Sequence, residues 1–197
     1  MKQAPCIVIV AAGQGSRFQA VAGAGKDKLL APCQGLDGRE RTVIEQVLAN
    51  QQGLSGRRVL VTRPERGEVI VLARAYGCDV LTLASPGLGG SIAAAVQASL
   101  DESGWLVLLG DMPFIAPQTL AVLAAAVRDD KISVARYKGA YGHPVGFGRA
   151  FAGRLAALSG DRGGRHLFEE GNVLPVDVED SGVLWDVDTP AALDFNN

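Results

Sequence analysis

Residues 6–17 read CIVIVAAGQGSR, an apolar run that leads directly into a glycine-rich segment. The β-branched residues from Ile7 to Val10 are typical of a strand buried on both faces, because a strand with one wet face would alternate apolar and polar residues. Glycines and small residues after such a strand let backbone N–H groups approach phosphate oxygens closely. This stretch therefore predicts a central strand of a parallel sheet, followed by a loop that binds a nucleotide.

The loop residues that we expect to contact the nucleotide are mostly small. They are Ala11, Ala12, Gly13, Gly15, Ser16 and Arg17. The arginine can grip a phosphate through two parallel hydrogen bonds. Lys26 and Lys28 follow on the same loop, and either could reach the same phosphates. The alternative interpretation is a glycine-rich turn with solvated cations.

Two better-known phosphate-binding loops do not match this segment. A dinucleotide fingerprint needs a third glycine where Phe18 stands, and an acidic residue after the second strand, where the chain has Arg63. A Walker loop needs Ser or Thr after Gly-Lys, but Lys26 is followed by Asp27. The loop therefore belongs to neither class.

Beyond the loop, short apolar runs alternate with segments of helical spacing. Strands are predicted over residues 58–62, 79–83, 105–109, 132–136 and 173–178, with a last short strand over 185–187. Helices are predicted after an N-cap at Thr42 and over residues 65–76, 91–100, 117–127 and 149–158, with another that begins near Pro190. This alternation predicts an α/β fold with a Rossmann-like, doubly wound and mostly parallel sheet. No linker or repeat interrupts it, so we expect one domain over residues 1–197.

Charge, hydropathy and cysteine usage exclude several classes of partner. The net charge is −2 with no long basic run, so we expect no nucleic-acid partner. No apolar stretch reaches the roughly 18 residues that a membrane span needs, so we expect no membrane partner. Cys6, Cys33 and Cys78 are far apart and have no metal-binding spacing. Reduced thiols of this kind favour a cytoplasmic protein.

An aspartate follows the most apolar of the later strands. Residues 105–109 read WLVLL, and Gly110-Asp111-Met112-Pro113 come next. Ligands of open α/β sheets bind beyond the carboxyl ends of the strands, where carboxylate oxygens suit Mg²⁺. We therefore expect Asp111 to be a Mg²⁺ ligand, in preference to a residue of a simple turn. In the absence of metal we expect its carboxylate to be unpaired.

A second pair of carboxylates lies near the end of the chain, in the DVDTP stretch of residues 186–190. Alternation along a strand would place Asp186 and Asp188 on one face, where one of them could complete the Mg²⁺ site. Alternatively, Asp188 or Thr189 caps a helix that begins at Pro190. The two roles can coexist.

Two further segments could line a ligand. Residues 87–91 read GLGGS ahead of a helix, and their N–H groups, including those of Gly89 and Ser91, could face the nucleotide; alternatively they are only the first turn of the helix. His143 and Pro144 could line the pocket of an acceptor, or have a purely structural role. A Ser/His/Asp triad is not expected, because the chain contains no G-x-S-x-G sequence.

Taken in order, seven stretches of the chain resemble the MobA-like NTP-transferase family, and most closely its molybdenum cofactor cytidylyltransferases. They are VAAGQGSRF, KLL at residues 28–30, PGLGGSI, LLGDMP, GHPVGF, SGDRGGR and DVDTP. The resemblance covers nearly the whole chain and implies a Rossmann-like sheet with a nucleoside triphosphate on the first loop. It further implies that Arg17 and Lys28 contact the phosphates and that Asp111 binds Mg²⁺, with Asp188 as the candidate second ligand.

The resemblance also implies an activity, with Arg17, Lys28 and Asp111 as the catalytic residues. Relatives that use GTP tend to have Gly-Gly where this chain has Ala12-Gly13, which favours CTP. The implied reaction transfers CMP to a phosphorylated acceptor of the molybdopterin type and releases pyrophosphate, with a molybdoenzyme as a possible partner. Other hypotheses remain: a nucleotidyltransferase that uses GTP or acts on a sugar or polyol phosphate, a nucleotide- or flavin-binding oxidoreductase, and a non-catalytic cofactor-delivery protein.

Overall fold

The first apolar run forms β1 (Cys6–Ala11), which lies inside a seven-stranded sheet. The computed structural model describes residues 3–168 and 172–195. Within them the remaining strands are β2 (Pro32–Gln34), β3 (Glu40–Thr42), β4 (Arg58–Thr62), β5 (Asp79–Thr82), β6 (Gly104–Leu109), β7 (Lys131–Tyr137), β8 (Ala140–Gly148) and β9 (Asn172–Asp177). The sheet has the order β5-β4-β1-β6-β8-β7-β9, and β2 and β3 form a separate hairpin.

The direction of the strands confirms the predicted fold. β5, β4, β1 and β6 pair in parallel, and so do β7 and β9. Among the described strands of the seven-stranded sheet, only β8 runs antiparallel to its neighbours. The sheet is therefore mostly parallel and Rossmann-like, with one reversed strand.

Helices cover both faces of this sheet, as a doubly wound fold requires. They are α1 (Ser16–Ala22), α2 (Val43–Asn50), α3 (Gly67–Ala75), α4 (Gly87–Gln97), α5 (Pro117–Ala126) and α6 (Ala152–Ala156). One apolar core contains β1 residues Ile7 and Ile9 together with α2, α3 and α5. The other contains Cys6 and Val8 of the same strand together with α4 and α6. Because alternate residues of β1 face opposite cores, the continuous apolar run of this strand is explained.

Several local predictions are confirmed and others are wrong. The Thr42 hydroxyl accepts a hydrogen bond from the Glu45 N–H at 3.3 Å, so the predicted N-cap of α2 is present. The predicted strand over 185–187 is wrong, because this segment bonds to the loop after β6 instead of to a strand. The expected helix near Pro190 is a 3₁₀ turn, Pro190–Leu193. The glycine-rich loop is shorter than expected, since α1 begins at Ser16.

β8 is a strand that the sequence pattern did not predict. Residues 140–148 read AYGHPVGFG, in which glycine and proline resemble turn signals. In the structure, a Cβ atom at Gly148 would lie 1.8 Å from the carbonyl oxygen of Arg128, and one at Gly146 would lie 2.7 Å from Cγ2 of Val127. These glycines therefore allow the segment after α5 to lie directly against the strand.

Within the part of the chain that the structure describes, no helix has the length and apolar character needed to cross a membrane.

A buried amide fastens α2 to the loop that follows β6. The Asn50 side chain donates hydrogen bonds to the carbonyl oxygens of Pro113 at 2.9 Å and Ile115 at 3.0 Å. Its own oxygen accepts from Gln46 at 2.7 Å. The position of this loop, which contains Asp111, therefore depends on a side chain of α2.

We expect Asn50→Ala to lower the free energy of unfolding by about 1–3 kcal/mol, because two buried carbonyl groups lose their donor. Urea denaturation of the variant and of the wild type measures the difference. Gln52→Ala is the matched control, since Gln52 lies just beyond the same helix and is exposed. Equal losses in the two variants would contradict a specific role for the Asn50 amide.

Candidate active site

The end of β6 brings Asp111 beside the loop that follows β1. The two strands pair in parallel with Val10 opposite Leu109, so both chains leave the sheet at the same edge. The Gly110 N–H donates to the Val10 carbonyl oxygen at 2.8 Å. A Cβ atom at Gly110 would lie 3.0 Å from the Cβ of Ala11, so only glycine allows this approach without displacement. Asp111 is thereby held at the edge of the predicted nucleotide loop.

A backbone hydrogen bond holds the DVD segment, residues 186–188, beside Asp111. The Val187 N–H donates to the Asp111 carbonyl oxygen at 2.8 Å. Asp186 and Asp188 flank Val187, and one carboxylate oxygen from each of Asp111, Asp186 and Asp188 lies within 4.8 Å of the others. Three carboxylates so close together offer the oxygen ligands that Mg²⁺ or Mn²⁺ prefers.

Lys28 lies between two of these carboxylates. Its ammonium nitrogen is 2.5 Å from Oδ2 of Asp111 and 3.2 Å from Oδ1 of Asp188. Burial opposes the charge on Lys28, but Asp111 and Asp188 outweigh it and raise the pKa of the ammonium above its usual range. The expectation that Asp111 is unpaired without metal is therefore wrong. Lys26, the alternative phosphate lysine, is exposed.

Arg17 reaches the same cluster from the first turn of α1. Its guanidinium forms an ion pair with Oδ2 of Asp188. The Arg17 side chain is 79% exposed, so it can leave this partner at little cost in packing. Burial opposes ionisation of Asp188, but hydrogen bonds from Arg17 and Lys28 outweigh it and lower the pKa of this carboxyl.

The charge distribution fits a divalent cation. Asp186 lies at the exposed edge of the cluster, where neighbouring residues still remove part of its solvent. This desolvation, together with the charges of Asp188 and Asp111, raises the pKa of its carboxyl. The Lys28 ammonium occupies the position of a cation between Asp111 and Asp188. Of this set, Asp111 and Asp188 are predicted from the sequence, while Asp186 is recognised there only as one of two alternatives.

The predicted nucleotide contacts at the start of α4 are already hydrogen-bonded within the chain. The Gly89 N–H donates to the Gly160 carbonyl oxygen at 2.8 Å. The Ser91 hydroxyl donates to the Gly87 carbonyl oxygen at 2.8 Å, and Ser91 is buried. These residues lie inside the helix, which begins at Gly87. Their contact with a nucleotide stays a prediction.

His143 lines a cavity of about 470 Å³ between α4 and β8. Most of its lining is apolar, with arginine and histidine side chains also present; the lining includes Leu88, Ile92, Val145, Phe147, Phe168, Arg162, Arg165 and His166. Burial lowers the pKa of His143, and its Nδ1 atom has no hydrogen-bond partner among the described residues. Pro144 is buried in β8 next to it. Sequence reasoning did not single out Arg162 or Arg165, although both lie in the SGDRGGR stretch.

Comparison with known sequences identifies relatives of this chain. GlmU of Aromatoleum aromaticum, a bifunctional protein, is 31% identical over 157 residues, which are 77% of this chain and 32% of GlmU. The purine catabolism protein PucB of Bacillus subtilis is 30% identical over 117 residues, 57% of each chain. The chain thus spans about a third of the length of GlmU.

Solved structures resemble the whole described fold. Rv0371c of Mycobacterium tuberculosis H37Rv superposes with a TM-score of 0.77 at 28% identity, over 96% of this chain and 95% of that protein. A complex of Rv0371c with manganese has a TM-score of 0.68 over the same shares of the two chains. A nucleotidyl transferase of Methanothermobacter, Mth528, has a TM-score of 0.80 at 22% identity over 97% and 94% of the two chains, and shows the shared fold.

The family model of the MobA-like NTP transferase domain matches residues 7–176, which include all of β1 except Cys6, the loop after it and Asp111. The match covers most of the chain and agrees with the parallel sheet whose strand ends carry the cluster of carboxylates and cations. The chain therefore belongs to the MobA-like NTP transferase domain family.

Proposed function

We propose that the chain is a metal-dependent nucleotidyltransferase, which moves a nucleotidyl group from a nucleoside triphosphate to a phosphorylated acceptor. The observation that carries the proposal is the cluster of Asp111 and Asp188 with Lys28 and Arg17 at the carboxyl edge of the sheet. Carboxylates that hold a metal and cations that hold phosphates are the groups this reaction needs. The presence of Arg17, Lys28 and Asp111 together in this cluster favours catalysis over a flavin-binding oxidoreductase or a cofactor-delivery protein.

In the proposed reaction, an oxygen of the acceptor phosphate forms a bond to the α-phosphorus. The bond from the α-phosphorus to the oxygen that bridges it to the β-phosphate breaks, and pyrophosphate leaves with that oxygen. The protein supplies no nucleophile, so its contribution is positioning and charge neutralisation. The N–H groups of the loop after β1 orient the triphosphate, and Arg17 and Lys28 offset the negative charge that accumulates on the pyrophosphate.

The carboxylates would hold a divalent cation, which lowers the repulsion between the acceptor phosphate and the triphosphate. Asp111 and Asp188 are the proposed ligands, with Asp186 beside them. A cation there would compete with Lys28 and Arg17 for their carboxylate partners, which releases both side chains towards the phosphates. The manganese complex of Rv0371c supports a divalent cation in this family. We propose Mg²⁺ as the ion used here, because Mg²⁺ typically binds through one or two carboxylates and the substrate phosphates.

CTP is the proposed nucleotide, with GTP as the alternative. The basis is Ala12, since relatives that use GTP tend to have glycine at this position. Ala12 is buried directly after β1, at the start of the loop that would bind the nucleotide.

The acceptor that we propose is a molybdopterin-type cofactor, and the cavity beside His143 supports it. A planar heterocycle fits apolar walls such as Val145 and Phe147, and an anionic substituent fits Arg162 and Arg165. A sugar or polyol phosphate is the alternative acceptor. Its hydroxyl groups would need hydrogen-bond partners that apolar walls do not offer. A molybdoenzyme that receives the product is the corresponding partner proposal.

We expect Lys28→Met to weaken binding of CTP with Mn²⁺ more than Lys26→Met. Lys28 lies within the carboxylate cluster, whereas Lys26 is exposed, and one charged phosphate contact contributes about 1.5–3 kcal/mol. Isothermal calorimetry of the two variants provides the comparison, with Lys26→Met as the matched control. A larger loss from Lys26→Met would move the phosphate contact to that residue.

We expect Asp111→Asn to reduce pyrophosphate release from CTP by about 100-fold or more, the scale of removing one strong electrostatic stabiliser. Asparagine keeps the shape of the side chain but not the charge that holds the cation. A small fall in melting temperature should accompany it, because Lys28 loses a charged partner. The control is Asp101→Asn, an exposed residue in the turn that precedes β6. Turnover close to wild type in Asp111→Asn would place the metal elsewhere.

We expect tighter binding of CTP than of GTP in calorimetric titrations with Mn²⁺. A site shaped for a pyrimidine rejects the larger purine by steric overlap and by leaving its polar edge unpaired. Ala12→Gly is the informative variant, since it restores the residue found in relatives that use GTP, and its GTP affinity should rise relative to CTP. Equal binding of both nucleotides by the wild type would remove the cytidylyl assignment and leave the nucleotidyltransferase proposal intact.

A further inference from the structure

An arginine outside the carboxylate cluster makes a set of contacts that the proposed reaction does not explain. Arg66 lies in the turn between β4 and α3, and its side chain is only 9% exposed. Its Nη1 donates to the Ala11 carbonyl oxygen at 2.6 Å, and its Nη2 donates to the Gly13 carbonyl oxygen at 2.8 Å. Its Nε lies 2.7 Å from Oδ2 of Asp27. All three guanidinium nitrogens are thus engaged, two with the loop after β1 and one with Asp27 beyond α1.

The contacts of Arg66 join the loop after β1 to the segment that follows α1. Ala11 and Gly13 are where the chain leaves β1, and Asp27 is where it reaches Lys28. The second carboxylate oxygen of Asp27 accepts a hydrogen bond from the Leu29 N–H at 3.1 Å, which caps the 3₁₀ turn Lys28–Leu30. One guanidinium therefore links the start of the loop to the turn that presents the Lys28 ammonium.

The carbonyl contacts also orient the donors that would face a phosphate. A C=O group and the N–H group of the following residue belong to one planar trans peptide and point in opposite directions. Because Arg66 holds the carbonyl oxygens of Ala11 and Gly13, it turns the N–H groups of Ala12 and Gln14 away from itself. Thr62 assists, since its hydroxyl donates to the Ala11 carbonyl oxygen at 3.1 Å.

The shape of the side chain matters as much as its charge. The guanidinium offers donors in several fixed directions, whereas a lysine ammonium at the same place could not reach two carbonyl groups and a carboxylate together. A residue that only attracted phosphate would be replaceable by lysine, and one that only packed would be replaceable by an apolar side chain.

We propose that Arg66 is a positioning residue for nucleotide binding, which sets the orientation of the loop N–H groups and the placement of Lys28 without touching the reacting atoms. The effect on nucleotide binding rests on the proposed function. The contacts of Arg66 with Ala11, Gly13 and Asp27 can be tested without any nucleotide. Asp27 shares this role, because it pairs with Arg66 and caps the turn that contains Lys28.

The experiment uses the full chain with the variants Arg66→Lys, Arg66→Gln and Asp27→Asn. Arg149→Gln is the matched control, because Arg149 also donates to two backbone carbonyl groups, those of Asp101 and Glu102 at 3.0 Å each, in a turn far from the loop. Hydrogen exchange followed by mass spectrometry reports on the amides of residues 29–31, whose N–H groups donate to Asp27 and Lys28. Calorimetry with CTP and Mn²⁺ reports on binding, and a melting curve reports on global stability.

We expect the amides of residues 29–31 to exchange about tenfold faster in Arg66→Gln, the equilibrium equivalent of losing one charge-assisted hydrogen bond. CTP affinity should fall about tenfold, while the melting temperature moves no further than in Arg149→Gln. Arg66→Lys should behave like Arg66→Gln, and adding Asp27→Asn to Arg66→Gln should cost little more than Arg66→Gln alone.

The proposal is overturned if the amides of residues 29–31 exchange at the wild-type rate in Arg66→Gln, if Arg66→Lys retains wild-type CTP affinity, or if Arg149→Gln speeds exchange of the same amides. Failure of the proposed function has a different signature. In that case the wild type binds no CTP, while faster exchange of the amides of residues 29–31 in Arg66→Gln still supports the positioning role of Arg66.

Discussion

The balance of charge around Lys28 is the interaction on which the site depends. Three carboxylates lie within 4.8 Å of one another at the carboxyl edge of the sheet, an arrangement that like-charge repulsion opposes. The Lys28 ammonium between Asp111 and Asp188, together with Arg17, offsets that repulsion while no metal is bound. The same two cations are suited to the phosphates of a nucleotide. Binding of a divalent cation and a triphosphate would therefore exchange ion-pair partners within the cluster, and no further charged side chain of the protein would be needed.

The fold brings these charges together through backbone contacts made close to the strand ends. Gly110 lets β6 approach β1, and the Val187 N–H bonds to the carbonyl group of Asp111. Arg66 holds the loop after β1 from the opposite side. Because these contacts are made to the main chain, they fix the backbone from which the carboxylates and cations extend.

Much of the fold follows from local pattern. The β-branched run of β1 and the apolar run of β6 predict central strands, and Thr42 predicts the start of α2. β8 could not be predicted in this way, since its glycines allow close contact with the chain after α5, and their pattern resembles that of a turn. The DVD segment shows the converse. Its alternating apolar and charged residues resemble a short strand, but hydrogen bonding to Asp111 replaces pairing with a strand.

By itself, the sequence determined the fold class, the glycine-rich loop after β1 and the place of Asp111 at a strand end, because apolar runs and strand order are local patterns. The candidate roles of Lys28 and Asp188 are what the resemblance to the family implies, since the residues alone left Lys26 and Asp186 as alternatives. Only the tertiary structure decided that Lys28, and not Lys26, lies among the carboxylates, that Asp186 joins them, and that Arg66 holds the loop. Each of these depends on contacts between residues far apart in sequence. Local periodicity contains no information about such contacts, since they arise from the packing of β4, β6 and the C-terminal segment around β1.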